Sequence, residues 1–120
     1  MIDVVVVDDH PVLRHGVTLM LETQDDIRVV AAVSNAGDAV AAVREHHPHV
    51  VLMDLSMPGR DGSSATTEIV AMDDSVAVVA LTSFSDPERI LDALDAGAVG
   101  YMLKDSEPDE IVGAVRAAAR

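Results

Sequence analysis

The sequence predicts a doubly wound α/β fold, a five-stranded parallel sheet covered by helices on both faces. Three observations predict it. Short runs of β-branched aliphatic residues recur at five places, and the segments between them repeat apolar residues at helical spacing. The runs are also almost continuously apolar, the pattern of strands buried on both sides. Parallel strands need a crossover that returns the chain to the same edge of the sheet, and an intervening helix provides one.

The first strand is expected over 3–7, followed by a helix with Val12, Leu13, Val17 and Met20 on its apolar face. The second is expected over 29–33, with Ala39, Val40 and Val43 in the next helix, and the third over 50–53, with Ala65, Ile69 and Met72 after it. The fourth, over 76–81, leads to a helix carrying Ile90, Leu91 and Leu94. Ser85-Asp86-Pro87-Glu88 marks its start as a capping box with an early proline, and Gly97 marks its stop. The fifth strand is expected over 100–103, and Ser106-Glu107-Pro108-Asp109 opens the last helix in the same form, with Ile111, Val112 and Val115 facing inward. Without a repeat, low-complexity tract or linker, residues 1–120 are expected to form one domain that still reads as helix at its end.

Composition narrows the function. A chain of 120 residues buries a real core without disulfides or structural metal. That core must be aliphatic, because Phe84 and Tyr101 are the only aromatic residues of the chain. The absence of cysteine removes disulfides, thiolate catalysis and Cys-based zinc sites, and fits a reducing compartment, so a cytoplasmic location is expected. A net charge of −13 with eight Lys and Arg opposes direct binding to nucleic acid. No apolar run approaches the roughly 20 residues of a membrane span, and Met1 leads straight into Ile2-Asp3-Val4 without a basic leader, so no membrane role is expected.

Ligands of open parallel sheets bind beyond the carboxyl ends of the strands. There the first strand ends in Asp8-Asp9, the third in Asp54, the fourth in Thr82-Ser83 and the fifth in Lys104. Each pair of carboxylates 4 Å apart repels by about 4 kcal/mol at an effective dielectric of about 20. One lysine offsets too little of this, and a hard divalent cation such as Mg²⁺ suits oxygen-only ligation while keeping positions for water and phosphate oxygens. Asp54 is the best nucleophile, alone at the end of a central strand before a loop with Pro58-Gly59 and Asp61-Gly62 turns. Asp8 and Asp9 then hold the metal. Lys104 pairs with the phosphoryl group or the carboxylate that carries it, and the Thr82 hydroxyl donates to a phosphoryl oxygen.

Val7-Asp8-Asp9-His10, Met53-Asp54-Leu55-Ser56-Met57-Pro58-Gly59-Arg60-Asp61-Gly62, Leu81-Thr82-Ser83 and Gly97-Ala98-Val99-Gly100-Tyr101-Met102-Leu103-Lys104-Asp105 together resemble a bacterial two-component response-regulator receiver domain over essentially the whole chain. The resemblance implies a flavodoxin-like (βα)5 fold and an aspartyl-phosphate at Asp54. It also implies Mg²⁺ (or Mn²⁺) held by Asp9, Asp54 and the Ser56 backbone carbonyl, with Asp8 contributing directly or through water. The phosphoryl donor is then the phosphohistidine of a partner sensor histidine kinase. Thr82 and Tyr101 become the switch pair, Tyr101 turning inward as Thr82 moves toward the phosphoryl group. That movement remodels the face of helix four, strand five and helix five, with dimerisation or domain release as the readout. The Asp-Asp-His-Pro opening and Gly-Tyr-Met-Leu-Lys-Asp ending look most like the NarL/LuxR type, whose members usually carry a helix-turn-helix domain after the receiver. The parent is then expected to be a longer transcriptional regulator that meets DNA only through that C-terminal domain.

Two departures stand out. Asp105 follows the lysine where many receivers carry a proline, often after a cis bond, which before a non-proline residue costs about 3 kcal/mol. Ser56 and Phe84 occupy the two positions that modulate dephosphorylation rate in the family. His46, His47 and His49 invite a metal reading, but they fall at an expected helix end, where solvated histidines suit the dipole. His10 is left as a structural residue.

Competing functions fit less well. A haloacid-dehalogenase-like phosphatase also forms an aspartyl-phosphate but needs an acid two residues after the nucleophile, where this chain has Ser56. A flavodoxin-type binder would want a neutral first loop in place of Asp8-Asp9. A receiver acting without phosphorylation would not require the intact acidic set. A phosphoacceptor switch, not a turnover enzyme, is the expected function.

Overall fold

The computed structural model describes residues 1–57, 62–82 and 87–120. Strands and helices alternate as β1 (Ile2–Val7), α1 (Pro11–Glu22), β2 (Ile27–Val33), α2 (Ala36–His46), β3 (Val50–Asp54), α3 (Gly62–Met72), β4 (Ala77–Thr82), α4 (Pro87–Asp95), β5 (Gly100–Leu103) and α5 (Pro108–Ala118). All strand pairs are parallel, in the order β2-β1-β3-β4-β5. The chain winds outward from β1 in one direction and from β3 in the other, so the carboxyl ends of those two strands form the topological switch point. β2 begins two residues before the expected apolar run because Arg28 interrupts that run; its guanidinium reaches across to the Asp3 carboxylate of β1 at 3.0–3.1 Å.

Alternation along the strands divides the core between two layers. Val4, Val6, Val50, Leu52, Val79 and Leu81 pack with Val17 and Leu21 of α1 and Ile111, Val112 and Val115 of α5. Val5, Val7, Val51, Met53, Val78 and Ala80 pack with α2, α3 and α4 through residues such as Val43, Ile69 and Ala93. The expected helix faces need correcting in three places, one of them Met72 at the end of α3, which is exposed. Val12 is 88% exposed, because the inward face of α1 runs through Val17 and Leu21. Leu91 and Leu94 are exposed as well, and only Ala93 of α4 is fully buried. Spacing shows that a helix has an apolar stripe but not which edge of a broad stripe meets the sheet.

Helix ends follow local chemistry. Asn35 caps α2 by accepting from the Asp38 backbone N–H at 2.8 Å. The cap of α5 is Glu107, one residue later than expected: Pro108 occupies the first helical position, where its missing N–H costs nothing, and Glu110 accepts from the Glu107 N–H at 3.3 Å. After α4, Gly97 adopts φ +113°, and a Cβ there would lie 3.0 Å from a Val70 methyl. Arg116 of α5 bonds both Asp26 carboxylate oxygens at 2.9 Å, and this hydrogen bonding holds the Asp26 carboxyl below its usual range. His47 closes α2 at φ 48°, and the His49 Nδ1 accepts from the Asp3 N–H at 2.9 Å. The expected turns at Pro58-Gly59 and Asp61, the residues Arg60, Ser83 and Phe84, and the expected helix start at Ser85-Asp86 lie outside the described residues.

Gly62 links fold to site. A Cβ on it would stand 2.7 Å from the Asp54 carbonyl oxygen and about as tightly against Leu55 and Met53, so α3 starts directly on the end of β3. Backbone cannot yield there as a flexible side chain would. Gly62→Ala is therefore expected to lower stability by about 1–3 kcal/mol through overpacking, read as a lower midpoint in urea unfolding. An unchanged midpoint would show that α3 moves aside at no cost.

Candidate functional site

Backbone bonds beyond the strand ends extend the sheet into its carboxyl-edge loops. The Asp8 N–H donates to the Val33 carbonyl at 3.1 Å, Leu55 to Leu81 at 2.9 Å and Lys104 to Thr82 at 2.8 Å. Asp8 and Lys104 are thus tied to the neighbouring strands by their backbone, while Asp54 and Thr82 are themselves the last residues of β3 and β4.

Within it, Asp54 closes β3 fully buried and Asp8 is 1% exposed. Lys104 places its Nζ 2.9 Å from Asp54 Oδ1 and 3.5 Å from Asp8 Oδ2, with its side chain only 8% exposed. Asp54 Oδ1 also accepts from the Ser56 N–H at 2.9 Å. The Lys104–Asp105 peptide is trans, so the lysine reaches Asp54 without the bond type expected of a following proline. Thr82 ends β4 at 3% exposure, one residue beyond Leu81, the sheet partner of Asp54. Asp8, Asp9, Asp54, Lys104 and Thr82, named from strand ends alone, therefore share one rim.

Asp8 Oδ2, Asp9 Oδ1 and Asp54 Oδ2 are each buried and make no hydrogen bond among the described residues. Asp8, Asp9, His10 and Asp54 offer ligand atoms that all lie within 4.8 Å of one another. Buried carboxylate oxygens without donors are costly, and one ammonium does not balance three negative groups. Hard oxygen donors in this arrangement fit a divalent cation, which would offset the charge of all three oxygens.

Three further residues hold the site. Arg14 of α1 donates to the Asp8 carbonyl at 2.8 Å, fixing the backbone of the acid pair. Arg89 of α4 donates to the Leu55 carbonyl at 2.8 Å, anchoring the chain just after Asp54. His10, left as structural in the sequence reading, sets its Nδ1 3.2 Å from Asp8 Oδ1 and 3.1 Å from Asp9 Oδ1. Its position next to the acid pair was the one available signal; nothing in the sequence signals the two arginines. Asp8 does not cap α1; its Oδ1 accepts from the His10 N–H at 2.9 Å, and His10 is the capping residue. Tyr101 on β5 is 49% exposed, not core packing. Among the described residues no helix is long and apolar enough to cross a membrane.

The family model described as "Response regulator receiver domain" matches residues 4–116. The transcriptional regulatory protein LiaR of Bacillus subtilis is 40% identical over 120 residues, covering 100% of this chain and 57% of LiaR. YhcZ, another transcriptional regulatory protein of that organism, is 43% identical over 109 residues, covering 91% of this chain and 51% of YhcZ. The chain thus spans about half the length of these curated relatives. The solved signal receiver domain of a response regulator, NarL, from Mycobacterium tuberculosis superposes with a TM-score of 0.93 at 35% identity, covering 98% of this chain and 95% of that one. With the acid pair, the strand-end aspartate and the lysine all in place on this fold, the chain belongs to the response regulator receiver domain family and is of the NarL/LuxR type.

Proposed function

We propose that this receiver takes a phosphoryl group onto Asp54 from the phosphohistidine of a sensor histidine kinase and relays that event to an output domain of a longer parent. The observation that carries the proposal is the set of three buried carboxylate oxygens without hydrogen bonds among the described residues, one of them on Asp54, whose other oxygen lies 2.9 Å from Lys104 Nζ. In the transfer, an Asp54 carboxylate oxygen attacks phosphorus. A P–O bond forms as the donor's P–N bond breaks, the electron pair stays on that nitrogen, and the imidazole leaves neutral because its other ring nitrogen already carries a proton. Asp8, Asp9, Asp54 and the Ser56 carbonyl would hold Mg²⁺ or Mn²⁺. When bound, the cation supplies positive charge that offsets the carboxylates and neutralises phosphoryl oxygens.

Lys104, already on Asp54 Oδ1, is placed to pair with the phosphoryl group as its charge develops beside that carboxylate. The Ser56 N–H orients the same oxygen. Thr82 donates its hydroxyl to a phosphoryl oxygen, and Tyr101, exposed on β5, moves inward as the threonine shifts. The chemistry happens once per signal and leaves the phosphoryl group on the chain, as a switch requires. The parent acts in the cytoplasm, its output domain meeting DNA and the switch face supporting a homodimer. LiaR and YhcZ, both transcriptional regulatory proteins by name and about twice as long as this chain, support that output.

Heat stability with and without Mg²⁺ tests the cation site. A ligand of the folded state at 100 times its dissociation constant adds about 2.7 kcal/mol, so millimolar Mg²⁺ is expected to raise the unfolding temperature. Asp9→Asn is expected to weaken that rise while raising stability in metal-free buffer, since it removes one of the repelling charges. An unchanged unfolding temperature at millimolar Mg²⁺ in the wild type would count against the site.

A further inference from the structure

The acid pair is followed by a histidine whose position the proposed phosphotransfer does not use. His10 lies at φ −90°, ψ 108°, immediately before Pro11, and its side chain makes no capping bond to α1. The ring instead turns back over the rim, with Nδ1 3.2 Å from Asp8 Oδ1 and 3.1 Å from Asp9 Oδ1. The backbone N–H of the same residue donates to Asp8 Oδ1 at 2.9 Å, so the aspartate and the imidazole are fixed relative to each other by a two-residue loop. The His10 side chain is otherwise open, 62% exposed.

We propose that His10 Nδ1 is a ligand of the cation site, giving this receiver a mixed nitrogen and oxygen donor set that favours Mn²⁺ and later transition ions over Mg²⁺. The inference rests on Asp8, Asp9 and Asp54 being cation ligands, as proposed above. One atom each from Asp8, Asp9, His10 and Asp54 lies within 4.8 Å of the others. Donors bound about 2.1 Å from one ion stand at most about 4.2 Å apart, so a small closing movement brings all four onto a single centre. Asp8 Oδ2, Asp9 Oδ1 and Asp54 Oδ2 are buried oxygens that make no hydrogen bond among the described residues, and Asp9 Oδ1 is also the oxygen 3.1 Å from His10 Nδ1. Mg²⁺ takes imidazole nitrogen poorly, whereas affinity for nitrogen donors rises along the series from Mn²⁺ toward Cu²⁺. The ring nitrogen therefore sets which cation the site prefers.

The competing role for His10 is to donate a hydrogen bond that orients the two carboxylates without touching the ion. Pulsed electron paramagnetic resonance of Mn²⁺ bound to the chain, at one fixed pH, separates the two. The expected result is nitrogen modulation from a directly bound imidazole in the wild type, lost in His10→Ala. The ratio of Mn²⁺ to Mg²⁺ affinity, from parallel titrations, is expected to fall by about tenfold in that variant, the scale on which metal-site partners register. Because the His10 ring is exposed, the variant is expected to keep its fold, which circular dichroism checks. Bound Mn²⁺ with an oxygen-only spectrum in the wild type would overturn the role of His10 while leaving the acidic site standing. No Mn²⁺ binding at all would overturn both this inference and the cation site beneath it.

Discussion

Lys104→Met is expected to lower the stability of the metal-free protein by about 3 kcal/mol, because breaking a buried charge pair from one side leaves the other charge uncompensated. Lys104 places its ammonium within 4 Å of both Asp54 and Asp8, and those carboxylates are 0% and 1% exposed. Methionine fills the space of the lysine stem but supplies no charge, so Asp54 and Asp8 lose the ammonium that lies 2.9 and 3.5 Å from their oxygens. For a domain of this size the loss corresponds to a fall of roughly 10 °C in unfolding temperature. Mg²⁺ is then expected to stabilise the variant by more than it stabilises the wild type, since the ion offsets charge that the lysine no longer does. Thermal unfolding with and without Mg²⁺ checks both parts. A fall of under about 1 kcal/mol would mean that the rim is wet enough to screen its own charges.

Asp54→Asn is expected to abolish phosphorylation completely while the fold survives. Asparagine keeps the shape of the side chain, and its carbonyl oxygen still accepts from the Ser56 N–H that now bonds Asp54 Oδ1. What disappears is the anionic oxygen that attacks phosphorus and one of the three negative groups that favour a divalent cation. The variant is thus expected to unfold cooperatively at or above the metal-free wild-type temperature and to respond less to Mg²⁺. A variant that fails to fold would show that the Lys104–Asp54 pair is structurally indispensable, a result the relief of like-charge repulsion argues against.

The strand ends were the most legible part of this molecule. A continuous apolar run that stops at Asp8, Asp54 or Lys104 is a local signal, and the rule that parallel sheets bind ligands at their carboxyl ends converts those stops into a site. The burial of Asp54 beside Lys104 was foreseeable because four apolar residues lead into the aspartate. Less legible were features set by distant partners. Arg89 bonds a carbonyl 34 residues away, and no spacing rule links it to Leu55. Arg14 reaches the Asp8 carbonyl only because α1 turns that side chain back toward the rim. The outward position of Val12, Leu91 and Leu94 depends on how each helix rolls on the sheet. The cap of α5 moved by one residue because Pro108 takes the first helical position, a local effect that the pattern alone placed one residue early.

The most direct test of the account is the intact mass of the wild-type chain and of Asp54→Asn after incubation with Mg²⁺ and acetyl phosphate, an acyl phosphate that donates without a kinase. The account predicts a single labile phosphoryl addition on the wild type that requires the divalent cation and is absent from Asp54→Asn. An equal, stoichiometric addition to Asp54→Asn would contradict it, because the phosphoryl group would then sit on some residue other than Asp54.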